Sequence, residues 1–168
     1  MMSSRRAPLL ETSSSFCASL IDPPQPKTLL SKYFSSHPRI TEHGPAWAQS
    51  RLPFLGKTFS GHEECAQYFE LLSQTLSMDL PSDSFPSVSE GGFVVDVDAK
   101  VQGEQGKGVV TVVGKGGFKS LKTGKGWSES FIYRLSGFDD EGRIGHWEIW
   151  ADPLSAWVAV GGEKVDEK

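Results

Sequence analysis

The hydrophobic pattern of this 168-residue chain changes period near its middle, and that change limits the folds open to it. Up to Leu76 three stretches carry apolar residues at helical spacing; from Phe93 onward the apolar residues alternate. Side chains three or four apart share a helix face, whereas side chains two apart share a sheet face. In Phe93–Gln102, the residues Phe93, Val95, Val97, Ala99 and Val101 alternate with Val94, Asp96, Asp98, Lys100 and Gln102, which predicts a half-buried strand. Gly103–Gly108 predicts a turn. Val109–Val113 predicts a second strand, interrupted or bulged by the glycine–lysine run Gly114–Gly126, and Trp127–Phe138 a third. A fourth lies between the turn Asp139-Asp140-Glu141-Gly142 and Pro153, which cannot donate to a strand ladder. Helices first and consecutive antiparallel strands afterwards make an α+β domain, with helices gathered on one face of a curved sheet.

In the first half, Leu9, Leu10, Phe16, Cys17, Leu20 and Ile21 predict a helix over Leu9–Ile21. Three prolines in Asp22–Pro26 break it, and a short helix follows over Lys27–Ser35. His37–Thr58 reads as a long irregular segment rich in proline and glycine that also holds Ile40, Trp47, Leu52, Phe54 and Leu55. Such a segment packs down, so Trp47 and Phe54 are expected at the mouth or wall of a cavity. Ser60-Gly61-His62-Glu63 has the form of a capping box, and Cys65, Phe69, Leu72 and Leu76 then mark one helix face up to Pro81. Leu154–Val160 is expected as one more short strand or turn. The domain plan is a disordered 1–8, one domain over 9–160 and a flexible tail over 161–168.

The net charge of −4 argues against a nucleic-acid or anionic-membrane partner, and no apolar run reaches the length of a membrane-spanning helix. Two cysteines, Cys17 and Cys65, make no disulfide framework, so a reducing, cytoplasmic setting is the simpler reading. The serine-rich start with Arg5 and Arg6 is weakly like a transit peptide, but Glu11 and the helical pattern oppose that reading. No phosphate-loop, dinucleotide or nucleophile-elbow motif is present. His62-Glu63-Glu64 lacks a zincin's second histidine, and no Pro-Cys-x-x-Cys follows His146-Trp147-Glu148. Four scattered histidines make a metal site unexpected, and no cofactor is implied. Lys107, Lys115, Lys119, Lys122 and Lys125 read as the solvated guard of an edge hairpin rather than a phosphate site.

The remaining chemistry lies in the strand carboxylates. On the fourth strand, Ile144, His146, Glu148, Trp150 and Asp152 share one face, and Gly145, Trp147, Ile149 and Ala151 the other. On the third, Glu129 shares a face with Trp127, Phe131 and Tyr133. A carboxylate in a half-apolar pocket has a raised pKa, as general acid/base chemistry requires. Pattern alone leaves open whether Glu129, Glu148 and Asp152 line a concave face or are paired or exposed on the sheet's outer side; on the first reading the expected catalytic pair is Glu148 and His146, facing Tyr68 and Phe69, with Trp47, Trp127 and Trp150 shaping the cavity. Glu129, or Glu42 and His43 in the irregular segment, are the alternatives.

The chain from Leu29 to Ala159 resembles the SnoaL-like branch of the nuclear transport factor 2-like superfamily. The resemblance rests on the helix Gly61–Leu76 with Tyr68-Phe69, the closing strand Gly-Arg-Ile…His-Trp-Glu, and two helices followed by a long-stranded meander. It implies a cone-shaped curved antiparallel sheet packed around N-terminal helices, with a pocket inside and a homodimer across the sheet. SnoaL-like cyclases often read His-Trp-Asp on the last long strand, where the carboxylate is the acid/base; those positions fall on His146 and Glu148. Here glutamate replaces aspartate, and the gap from Ile144 to His146 is one residue shorter. The expected function is cofactor-free cyclase, isomerase or dehydratase-like chemistry on an apolar polyketide- or terpenoid-like small molecule. The alternative is a non-catalytic binding or dimerisation module of the same fold.

Overall fold

The computed structural model describes residues 4–164. Helix α1 (Arg6–Ser19) opens the fold and buries Leu9, Phe16 and Cys17. It starts at Arg6, inside the stretch expected to be disordered. Arg5 anchors that start by donating to the carbonyls of Phe138 and Lys107. Residues 1–3 and 165–168, the outer parts of the two segments expected to be loose, lie outside the described residues. After the proline break, α2 (Pro26–Tyr33) begins with proline at its first turn, where a missing N–H costs nothing.

The irregular segment expected over His37–Thr58 starts as a strand instead. β1 (Phe34–Glu42) pairs antiparallel with β2 (Thr58–Ser60) and parallel with β7 (Ile144–Trp150). Pro38 suggested a loop, but it sits at the irregularity between Phe34 and Arg39, where β1 skips register and needs no donor. The chain then passes a 3-10 turn at Ala46–Ser50. At α3 (Gly61–Thr75) Ser60 makes no side-chain cap; its backbone N–H donates instead to Glu64, 2.7 Å away.

β3 (Leu76–Asp79) and β4 (Val94–Asp96) pair with opposite ends of one edge of β5 (Val109–Ser120), and β6 (Gly126–Ser136) follows. The path is β2-β1-β7-β6-β5-β3. All neighbours are antiparallel except β1 and β7, so the curved sheet is mixed at one seam. Two strand expectations change. The strand expected over Phe93–Gln102 is only three residues long, because Asp96 accepts from the backbone of Asp98 and Ala99 and turns the chain. The glycine–lysine run does not break β5: Gly114 and Gly116 face inward, where a side chain would collide with Phe131 and Leu80, and Lys115 faces out. Gly114 makes room for the Phe131 ring of the next strand and Gly116 for Leu80, just beyond β3.

The last segment, Leu154–Val160, is neither strand nor turn. It is α4 (Pro153–Gly161), capped by Asp152, whose carboxylate accepts from Ser155 N at 3.0 Å. α1, α2 and α3 fill the concave side of the sheet. There Phe16 meets Phe34 and Trp147 edge-on, with centroids 5.2 and 4.9 Å apart.

Candidate active site

β7 decides which groups face inward. Its alternation turns Trp147, Ile149 and Ala151 toward the helices, and with them, through register, Tyr133 and Leu135 of β6 and Ile40 and Glu42 of β1. The inward groups enclose a cavity of about 60 Å³ lined by Phe54, Tyr68, Phe69, Trp127, Glu129, Phe131, Tyr133, Trp147 and Asp152, among others. Seven of the eleven residues expected at the site are thus brought together: Phe54, Tyr68, Phe69, Trp127, Glu129, Phe131 and Asp152.

The other four are not. Glu148 and His146 lie on the outer face of β7, and their expected place inside the cone is corrected. The reason is the neighbouring strand: Arg134 stands opposite Glu148 and binds it through Nε at 2.6 Å and Nη2 at 3.0 Å, while His43 Nε2 adds a contact at 3.0 Å. Burial by itself pushes the Glu148 carboxyl up, but the bonds from Arg134 and His43 outweigh it and hold the group below the usual carboxylate range, not above it as expected. His146 is clamped between Glu104 (Nδ1 to Oε1, 2.6 Å) and Thr41 (Nε2 to Oγ1, 2.8 Å), and Arg39 also pairs with Glu104. Trp150 stacks on His43 outside the cone at 4.1 Å. Trp47 is 66% exposed, not half-buried, because its partner is Trp157 on the outer side of α4.

Inside the cone the acid sequence reading placed last stands foremost. Glu42, at the inner end of β1, accepts a 2.7 Å hydrogen bond from the Tyr68 hydroxyl through Oε2. Burial raises its pKa to about 7, the Tyr68 bond lowers it somewhat, and the charge of Glu129 raises it again. No bond reaches Oε1 among the described residues. Glu129 is also raised, chiefly by burial; its Oε2 accepts from Trp127 Nε1 at 3.1 Å and from the Asp152 N–H at 3.0 Å. Asp152 lines the cavity, but its two oxygens are committed to Ser155 as the cap of α4. Burial raises Tyr68 and Tyr133 well above the usual phenol range, so both stay neutral donors. Sequence reasoning grouped Tyr133 with Glu129, Trp127 and Phe131 on one face, but it did not place Trp147 on the wall. The sign was the apolar set Trp147, Ile149 and Ala151 on β7, which is the natural core face.

No group of three or more His, Cys, Asp or Glu side chains suited to a metal ion occurs among the described residues. No helix there is long and apolar enough to cross a membrane.

No protein-family model and no curated protein sequence matches the chain. Solved structures do. An NTF2-like protein from Burkholderia xenovorans superposes with a TM-score of 0.65 at 15% identity, covering 92% of this chain and 97% of that one. TerC, co-crystallised with polyporic acid, gives 0.61 at 17% identity over 92% and 98%. A candidate SnoaL-like polyketide cyclase from Jannaschia gives 0.59 at 13% identity over 98% and 99%. At these identities the likeness is one of fold.

Proposed function

We propose that this chain, which has the nuclear transport factor 2-like fold, is a cofactor-independent catalyst of proton transfer on a largely apolar small molecule, of the cyclase, isomerase or dehydratase kind. One observation carries the reading: Glu42, its pKa about 7, stands in an aromatic cavity with one oxygen held by Tyr68 and the other without a partner among the described residues. A carboxyl that is half ionised near neutrality both takes and returns a proton. Oε1 would remove a proton from a carbon made acidic by a neighbouring carbonyl and deliver it to a second atom. Tyr68 fixes the carboxylate plane, and the Tyr133 hydroxyl, neutral and unpartnered among the described residues, would donate to the oxygen on which charge builds. Glu148 and His146, bonded to neighbours on the outer face, have no part in this scheme.

The test is solvent-deuterium incorporation into a panel of cyclic ketones and enones. Glu42→Gln should lower the rate about 10²–10⁴-fold while the fold persists. Equal incorporation by both proteins, or none by either, removes the catalytic reading. A binding module without chemistry is the second reading; the cavity's small volume of about 60 Å³ favours it.

The same reading includes a homodimer across the outer face of the sheet. Val113, Ile132 and Trp150 form a cross-strand row there, 56%, 46% and 39% exposed, an apolar stripe of the sort a second copy covers.

A further inference from the structure

We infer that the cavity binds an amphiphilic primary amine, its ammonium head among Glu42, Glu129 and Tyr133 and its apolar tail running out along the groove between the α1–α2 connection and β3. The inference rests on the preceding reading only in taking this cavity as the ligand site. It does not require catalysis.

Three features lead to the amine. First, every ionisable side chain on the cavity wall is an acid, namely Glu42, Tyr68, Glu129, Tyr133 and Asp152, and no Lys, Arg or His among the described residues lines it. An anionic ligand would meet carboxylates with no countercharge in a poorly hydrated space, where charge–charge energies are several times those in water. Second, the unmet hydrogen-bonding capacity is mostly accepting, the indole Trp147 Nε1 and the Tyr133 hydroxyl proton being the donors on the wall without a partner among the described residues. Oε1 of Glu42 and Oε1 of Glu129 receive no bond among the described residues, and the hydroxyl of Tyr133, itself 93% buried by its 7% exposure, has no partner there. A primary ammonium carries three donors and no acceptor, which matches three vacant acceptors. Third, the surrounding surfaces are ring faces: Trp127, Phe131, Tyr133 and Trp147 present the negative quadrupoles that attract cations.

The tail follows from volume. The cavity holds a head group but no long molecule. A groove of about 560 Å³ adjoins it, with Leu20, Phe69, Leu72, Leu76, Met78 and Leu80 lining both spaces. The groove is walled by Pro23, Pro24 and Pro26, and its rim residues Met78 and Leu121 are 42% and 54% exposed. Among the described residues Glu70 is its only ionisable side chain. An alkyl or isoprenoid chain fits such a surface, and a second charged group does not.

The experiment is calorimetric titration of the whole protein with octylamine, octanol and octanoate, and with butylamine as the short analogue. Octylamine should bind at least about tenfold tighter than octanoate. Affinity should rise about fourfold per methylene from butylamine to octylamine, and Leu121→Ser should flatten that rise. At pH 7 octylamine should displace about half a proton from Glu42, seen as a dependence of the heat on buffer ionisation. Glu42→Gln should abolish the preference for amine over alcohol while retaining the gain with chain length. Octanoate or octanol binding as tightly as octylamine overturns the inference, as does an affinity indifferent to chain length. Amine binding without deuterium incorporation removes only the catalytic reading; incorporation without an amine preference removes only this one.

Discussion

Replacing Glu42 by glutamine should make the protein more stable above pH 7 and leave it nearly unchanged below pH 4.5. Folding raises the Glu42 pKa from 4.5 to about 7. At pH below 4.5 the group is protonated in both states and burial costs nothing. Between 4.5 and 7 the unfolded chain releases the proton while the folded chain keeps it, so stability falls as pH rises. Above 7 the folded state must carry a partly buried charge and the loss is complete. A difference of 2.5 units between the two values corresponds to about 3 kcal/mol at 1.36 kcal/mol per unit. Water entering the cavity from the groove would reduce that figure. Glutamine is nearly isosteric, still accepts from Tyr68 and carries no charge. The difference between the two proteins, from urea unfolding at pH 4, 5, 6, 7 and 8, should therefore grow across the middle of that range by roughly 2–3 kcal/mol and then level. Subtracting the variant cancels Glu148, whose lowered pKa acts in the opposite sense: its stabilisation is present above about 4.5 and is lost as pH falls through the folded value. A difference that stays flat from pH 4 to 8, or a variant less stable than the parent at pH 8, would refute the claim that Glu42 is buried and held near neutrality.

Tyr68→Phe removes the one bond that lowers the Glu42 pKa, so carbon-13 NMR titration of the Glu42 carboxyl should show a higher midpoint than in the parent. Glu148→Gln leaves Arg134 and His43 facing a neutral amide and should destabilise the fold by about 1–3 kcal/mol in urea unfolding, without moving the Glu42 titration. Gly114→Ala places a methyl group into the Phe131 ring and should cost about 1–3 kcal/mol, whereas Gly124→Ala, in open space but at φ +74°, tests turn strain separately. Light scattering at micromolar concentration should show a dimer that Ile132→Asp dissociates; an 18.4 kDa species in the parent protein counts against the outer-face interface.

The helices, the change to alternation and the long strands were legible because period follows directly from backbone geometry. The choice of face was not. β7 is buried on both sides, since helices cover one face and the Arg134–Glu148 and His146–Glu104 pairs cover the other, so both sets of alternating residues look like core. His146, Glu148 and Trp150 together read as a site because their partners do not show in the local sequence: Arg134 meets Glu148 only through strand register, and Thr41, His43 and Glu104 come from segments distant in the chain. Glu42 was legible only as an alternative, since Pro38 and the skipped register hide the strand that carries it. Trp47 failed for a different reason: an apolar residue in a loop must find cover, but nothing in the loop says that Trp157 supplies part of it outside the cone.

The parallel seam between β1 and β7 has a consequence for how the molecule is made. Thr41 and His146, which meet across it, are 105 residues apart in the chain, so Glu42 gains its final neighbours only after nearly the whole sequence is available. Closing so long a loop precedes the reward for pairing, which slows folding. On the ribosome, α1 through β6 would emerge with the β1 edge bare, and an exposed strand edge invites pairing with other chains. A fragment ending before Ile144 should accordingly aggregate rather than bind ligand, and adding β7 and α4 as a separate peptide is the natural way to rescue it.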